Sequence, residues 1–261
     1  MELGRALSSE AAKAAYVRRL FHTIAGRYDF ITRALSYGQD RRWKARLIAM
    51  AAPQRGQRVL DLASGTGDIA FAAAARGARV VALDITHRML QLAAAKPHDA
   101  ARVAFVTGDM MALPFATASF DVVTTGYGIR NVPRIEPAIA EIARVLKPGG
   151  RLLSLDFNRP ANPAVRAVYL GYLTIVGSAL GLALHGDPDT YRYIPESIRR
   201  YPGAPGVAAL LASGGFDHCE VVPLLGGLMA INSARRLRRR AQLRNDATPN
   251  AQLIPNSQEG T

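Results

Sequence analysis

Cysteine is almost missing from this chain: Cys219 is the single thiol in 261 residues. One cysteine excludes an intramolecular disulfide and any cysteine-based zinc cluster, and no metal site is expected. Aromatic residues are sparse, at 7%, and are not interleaved with the basic ones. No zinc-finger or RNA-binding signature accompanies the charge, so a nucleic-acid partner is not expected. Acid is also short, and the formal net charge is +13. Six of the cations are Arg235, Arg236, Arg238, Arg239, Arg240 and Arg244. Such a run suits either water or an anionic bilayer surface. The first residues carry Glu2, Arg5, Glu10 and Lys13 with no apolar core, so no signal peptide is read. The expected location is therefore cytoplasmic, with peripheral contact at the inner face of the cell membrane.

Long apolar runs are absent except at residues 167–184, where 18 residues carry no charge. That meets the lower limit for a membrane span. Gly171, Gly177, Gly181, Thr174 and Ser178 weaken a span and favour a buried or lid helix, or an apolar wall for a lipid-like substrate.

What is present is most informative at residues 59–68. The apolar run Val59-Leu60-Asp61-Leu62 breaks into Ser64-Gly65-Thr66-Gly67-Asp68, and an Ala-rich helical segment follows. Strand, glycine turn and helix open a nucleotide-binding α/β unit. A second apolar run ends in Asp84, 17 residues beyond Gly67, near the spacing at which a carboxylate meets ribose hydroxyls. Gly65-x-Gly67-x-x-Ala70 also fits the dinucleotide fingerprint, so glycines alone leave NAD open. Asp61 and Asp68 argue otherwise, because both flank the loop that would hold a pyrophosphate. Like charges about 4 Å apart cost on the order of 4 kcal/mol at an effective dielectric of 20. A cationic ligand, S-adenosylmethionine (SAM), suits the loop better. A helix N-cap and a first-turn acid are the plain alternatives for these two residues.

Further along, strands alternate with helices over 58–157, predicting a doubly wound, mostly parallel sheet of seven strands. Helices over 11–50 form an N-terminal cap, and Asp217 to Asn232 reads as a closing hairpin. The domain limits follow: a helical cap over 1–52, a catalytic domain over 53–234 with an apolar helical insertion at 163–204, and a basic, disordered tail over 235–261. Asp61, Asp84, Asp109 and Gly126 fall at carboxyl ends of predicted strands, where ligands sit in such sheets. Trp43, among Arg41, Arg42, Lys44 and Arg46, reads as an anchor of the cap on the core.

At this point the chain resembles a known family. Tyr28-Asp29, Arg42-Trp43-Lys44, the loop 61–68, Leu113-Pro114-Phe115, Arg130-Asn131-Val132, the Arg144 to Gly150 stretch and Tyr193-x-x-x-Ser197 are similar to the class I SAM-dependent methyltransferases of quinone biosynthesis. Within that class they resemble the demethylmenaquinone and ubiquinone C-methyltransferases, over residues 16–231. The resemblance implies a Rossmann-like methyltransferase fold with SAM as cofactor. Thr66, Asp84, Asp109 and Met110 are then expected at SAM, with Asp61, Gly65, Gly67 and Gly126 around it. The family often has Ser where this chain has Gly126, and its aromatic-rich ending is replaced by Asn232-Ser233-Ala234 and the arginine run.

The implied reaction is methylation at a ring carbon of a prenylated quinol, demethylmenaquinol first and a benzoquinol of ubiquinone biosynthesis as the alternative. A quinol carbon becomes nucleophilic when its neighbouring hydroxyl loses a proton, so a phenolate stabiliser and a proton acceptor are needed. Arg130 is the candidate stabiliser, Asn131 can position a hydroxyl, and Tyr28 and His22 could close over the site, His22 with the better intrinsic pKa for proton transfer. An NAD-dependent oxidoreductase and a non-catalytic SAM-binding membrane adaptor are the rival readings. A homo-oligomer is left open.

Overall fold

The computed structural model describes residues 9–36 and 38–238. Helices α1 (Glu10–Ile24), α2 (Tyr28–Leu35) and α3 (Asp40–Ala51) form the expected cap. Ser9 caps α1 by accepting from the Ala12 amide at 3.2 Å. After the cap come β1 (Arg58–Leu62), α4 (Asp68–Ala74), β2 (Arg79–Asp84), α5 (His87–Ala94), β3 (Val103–Thr107) and β4 (Phe120–Gly126). Then follow a 3-10 turn (Ile129–Asn131), α6 (Ile135–Val145), β5 (Leu146–Phe157), α7 (Pro163–His185), α8 (Tyr193–Arg200) and α9 (Gly203–Ser213). Strands β6 (Phe216–Leu224) and β7 (Met229–Arg236) close the chain.

The seven strands form one sheet in the order β3-β2-β1-β4-β5-β7-β6. Strands β3 to β5 pair in parallel, and β7 inserts antiparallel between β5 and β6. The strand order reverses between β1 and β4, which places the ligand crevice at their carboxyl ends. Two apolar clusters cover the two faces, one built on Leu60, Val123 and Ile142, the other on Val59, Ala70 and Leu153. Side chains alternate across β1, so Val59 and Leu60 feed opposite clusters.

Two expectations are corrected. The basic tail was expected from residue 235, but Arg235 and Arg236 belong to β7, opposite Arg151 and Phe216. Arg236 can lie in the sheet because its guanidinium donates to the carbonyls of Ala143 at 3.0 Å and Gly215 at 2.6 Å. The rest of the proposed tail, from residue 239, lies outside the described residues. Residues 147–150, read as a turn, lie within β5 directly after its first residue Leu146, and the register irregularity opposite Phe120/Val122 absorbs them.

Helix α7 starts with an Asn162 cap and Pro163 in its first turn, and stops at Gly186 in the left-handed region. It is long and apolar enough to cross a membrane by length and composition. One face is nevertheless occupied within the fold: Gly177 and Gly181 let residues 187–191 approach so closely that a Cβ at Gly181 would meet the Asp187 carbonyl oxygen at 2.5 Å. The opposite face carries Val168, Ile175 and Leu182, each more than half exposed.

Candidate active site

Two adjoining cavities open where β1, β2 and β4 end. The strand-end cavity is walled by Gly65, Asp84, Asp109, Met110, Gly126 and Asn131, and roofed by Ala14, Val17 and Phe21 of α1. The apolar cavity has about 800 Å³ of space, part of it open to solvent, between the cap and α7. Its walls include Trp43, Phe157, Tyr169, Leu173, Tyr191 and Tyr193. Phe21, Tyr28 and Tyr127 line both cavities and form the partition between them.

The strand-end cavity fits SAM. Asp84 accepts from the Gly65 amide with one carboxylate oxygen and from the Thr86 amide with the other, both at 2.8 Å. This fixes the carboxylate at the end of β2 and leaves lone pairs for ribose hydroxyls. Asp109 accepts from the Met111 amide at 2.9 Å, which turns Met110 against the cavity. Asp61 is 1% exposed and accepts from the Thr124 hydroxyl at 2.7 Å, while its second oxygen has no partner. Burial pushes its carboxyl up to about 7. A buried acid with no ion-pair contact among the described residues, which feels Lys44 only at longer range, favours a nearby cation, which SAM has in its sulfonium and ammonium.

Three expected cofactor residues are not on that wall. Asp61 is one. Thr66 is a second: its hydroxyl donates to Asp29 of the cap. Gly67 is the third: its φ of 88° starts α4, and a Cβ there would meet the Phe71 ring at 2.6 Å. The electrostatic expectation changes with them. Asp68 does not face the loop as a bare acid, because Lys44 and Lys96 bind it at 2.9 and 3.3 Å. Burial alone would raise its carboxyl, yet the two ammonium groups hold it below the ordinary value. The case against a pyrophosphate therefore rests on Asp61 and not on Asp68, since an acid at the place of Asp84 meets ribose hydroxyls in either cofactor.

Gly126 lines the cavity, but a Cβ there would meet Ile69 Cδ1 at 2.7 Å. In this chain Ile69 fills the space that a serine side chain would take.

The catalytic candidates separate. Tyr28 is part of the partition, and burial raises its phenol above the ordinary value, so it stays a proton donor at neutral pH. Arg130 reaches the apolar cavity as half of a buried ion pair, with Nη1 3.2 Å from Asp156 and 3.0 Å from the Tyr127 carbonyl. Its Nε is buried without a partner. Asp156 thus faces Arg130, not water. Asn131 donates to the Tyr127 carbonyl at 2.7 Å and keeps its own oxygen unpartnered, on the strand-end side. His22 is corrected: it is exposed and lines neither cavity. Val17, Phe21 and Ile24, at helical spacing, turn inward and carry the adjacent His22 outward.

Tyr127, Phe21 and the acid–base chain beneath them have no assigned role in the sequence reading. Tyr127 donates to Asp40 at 2.7 Å, and Asp40 pairs with Lys44 at 2.7 Å. Lys44 leads through Asp68 to Lys96, which reaches Asp29 at 2.8 Å. This chain ties cap to glycine loop. The flanking glycines of Gly126-Tyr127-Gly128 were the available signal, since Tyr127 takes a left-handed φ of 61°.

Comparison with known proteins bears on the family and the fold. The sequence model of the ubiE/COQ5 methyltransferase family matches residues 9–236. The ubiquinone/menaquinone biosynthesis C-methyltransferase UbiE of Dinoroseobacter shibae is 42% identical over 234 residues, 87% of this chain and 93% of the relative. A SAM-dependent methyltransferase from Thermotoga maritima superposes with a TM-score of 0.60 at 18% identity, over 84% of this chain and 99% of that one. A Haemonchus contortus phosphoethanolamine N-methyltransferase in complex with S-adenosyl-L-methionine gives 0.57 at 18% identity, over 76% of this chain and 53% of that one. These two structures bear on the fold alone. The NAD-dependent and adaptor readings gain no support from the matches.

Proposed function

The chain belongs to the ubiE/COQ5 methyltransferase family, SAM-dependent C-methyltransferases of ubiquinone and menaquinone biosynthesis, and on that premise we propose that it converts demethylmenaquinol to menaquinol. The observation that carries this reading is the shared partition: a polar strand-end cavity and an apolar one meet at Phe21, Tyr28 and Tyr127. The aromatic faces of Tyr28, Trp43, Tyr127 and Phe157 suit a flat bicyclic ring, and the face of α7 carrying Tyr169, Tyr172 and Leu173 suits its isoprenoid tail.

SAM, when bound, supplies an electrophilic methyl group. The protein's part is to orient the ring and to stabilise the phenolate. Arg130 cannot act as a base, since its guanidinium remains charged. Its neutralisation by Asp156 makes the pair a fixed dipole, and the unspent Nε can hold the phenolate or a water. Tyr28 offers a second donor, and the Asn131 oxygen an acceptor for a hydroxyl.

The test is transfer of labelled methyl from SAM to reduced demethylmenaquinone, with the methoxy-benzoquinol of the ubiquinone route in parallel. Turnover of the naphthoquinol at higher kcat/KM is the expected result. Turnover of the benzoquinol alone would overturn the substrate, and turnover of neither under reducing conditions would overturn the reaction.

A further inference from the structure

A lysine ties the roof of the strand-end cavity to its wall. Lys13, on α1, lies 117 and 119 residues from its partners and donates to the carbonyls of Arg130 at 3.3 Å and Val132 at 2.5 Å. Both carbonyls belong to the turn after β4. The turn contributes Asn131 and Val132 to the cavity wall, and α1 contributes Ala14, Val17 and Phe21. Lys13 therefore bridges the two sides of one binding site while standing outside it. Nearby, Glu10 and Arg134 also link these elements, but at 3.7 Å and with both side chains more than half exposed, a pair of little worth.

The charges around Lys13 are unusual for a structural tie. Arg130 and Arg200 stand near it, on the turn and on α8, with Tyr193, Ser197 and Tyr201 completing the same small chamber. The acids in the neighbourhood are engaged elsewhere: Asp156 with Arg130, Glu196 with Arg199 and Arg200, and Glu10 with Arg134. Among the described residues, the ammonium is thus held by these two carbonyl dipoles.

We propose that Lys13 is a positioning residue that clasps α1 to the turn 129–132, and that exchange of the methyl donor requires this clasp to open. The proposal rests on the strand-end cavity as the SAM site and not on the identity of the quinol.

A pH dependence follows from the same geometry. Burial, then Arg130 and Arg200, lower the Lys13 ammonium to about 8 when the clasp is closed, against an ordinary value of 10.5. Closing therefore weakens proton binding at this group. Raising the pH between about 8 and 10.5 favours the closed form, whereas below that window Lys13 is charged in both forms and the clasp is indifferent to pH.

The experiment measures adenosylhomocysteine binding without quinol, by calorimetry and by stopped-flow dissociation, together with hydrogen exchange over residues 10–24. Lys13→Met is expected to weaken binding about tenfold, through faster dissociation, and to raise exchange in α1. Lys13→Arg restores charge and donors and is expected to recover most of the affinity, but without the slowing of dissociation expected of the wild type as pH rises above about 8. Lys13→Gln, with a shorter neutral donor, covers the case in which the methionine variant does not fold. Wild-type affinity and exchange in a folded Met or Gln variant would overturn the proposal. So would a wild-type dissociation rate that is flat or rises across the window. Loss of quinol turnover with unchanged adenosylhomocysteine binding would count against the clasp and leave the donor site standing.

Discussion

At the scale of single residues, buried groups with unfilled bonding capacity are the most informative. Asp61 combines a hydrogen bond to Thr124, an unpartnered oxygen and a carboxyl raised to about 7 by burial. Because its folded value lies above the ordinary one, its contribution to stability is full below pH about 4 and is lost as the pH rises through about 7. Asp61→Asn is therefore expected to match the wild type in acid and to be the more stable protein above neutrality, by at most about 4 kcal/mol. Thermal melts of the ligand-free protein across pH check this, and the same variant is expected to bind adenosylhomocysteine more weakly. Gly126 makes a second residue-scale case. Gly126→Ser must shift the Cδ1 tip of Ile69, which can turn away, and is expected to cost at most about 1 kcal/mol in urea unfolding, less in an Ile69→Val background. Equal costs in both backgrounds would mean that Ile69 does not occupy that space.

At the scale of elements, the cap is attached by charge as well as by apolar packing. Lys44 serves Asp40 from its own helix and Asp68 from the start of α4. Removing it strands Asp40, whose side chain is 8% exposed, next to a second acid. Lys44→Met is expected to lower stability by about 3 kcal/mol, read from the urea midpoint. Lys44→Arg, which keeps the charge, should lose less. How much of this was legible in the sequence differs by element. The glycine turn, the strand ends and the three cap helices were, because strand and helix periods leave a local imprint. The identity of Lys44 as a hub was not, since Asp40, Asp68 and Lys96 lie at unrelated spacings and meet only in space. The end of β7 was missed for a similar reason: Arg235 and Arg236 look like the start of a charge run until the carbonyls that receive Arg236 are seen.

At the scale of the whole molecule, net charge and one helix face act together. The chain carries +13, and α7 turns Val168, Ile175 and Leu182 outward while its other face lines the apolar cavity. A substrate with an isoprenoid tail resides in lipid, so an enzyme that takes it gains from resting on an anionic bilayer with α7 downward. Flotation with anionic vesicles is expected to recover the protein at low salt and to release it as salt rises. A variant with Val168→Asp, Ile175→Asp and Leu182→Asp should remain soluble and fail to float. Equal flotation on neutral vesicles would remove the electrostatic part of this reading.

The sequence by itself determined the doubly wound sheet, the ligand crevice and the acids at its strand ends, because each depends on residues close together along the chain. Only the tertiary structure decided which of those acids is ion-paired, since Lys44 of the cap and Lys96, just past the end of α5, bind Asp68, whereas among the described residues Asp61 has no ion-pair contact and feels Lys44 only at longer range. It likewise decided that Phe21 and not His22 faces the ligands, and that Lys13 crosses to the turn after β4. Coulomb and hydrogen-bond partners are set by distance in space, and the order of residues along the chain does not encode that distance.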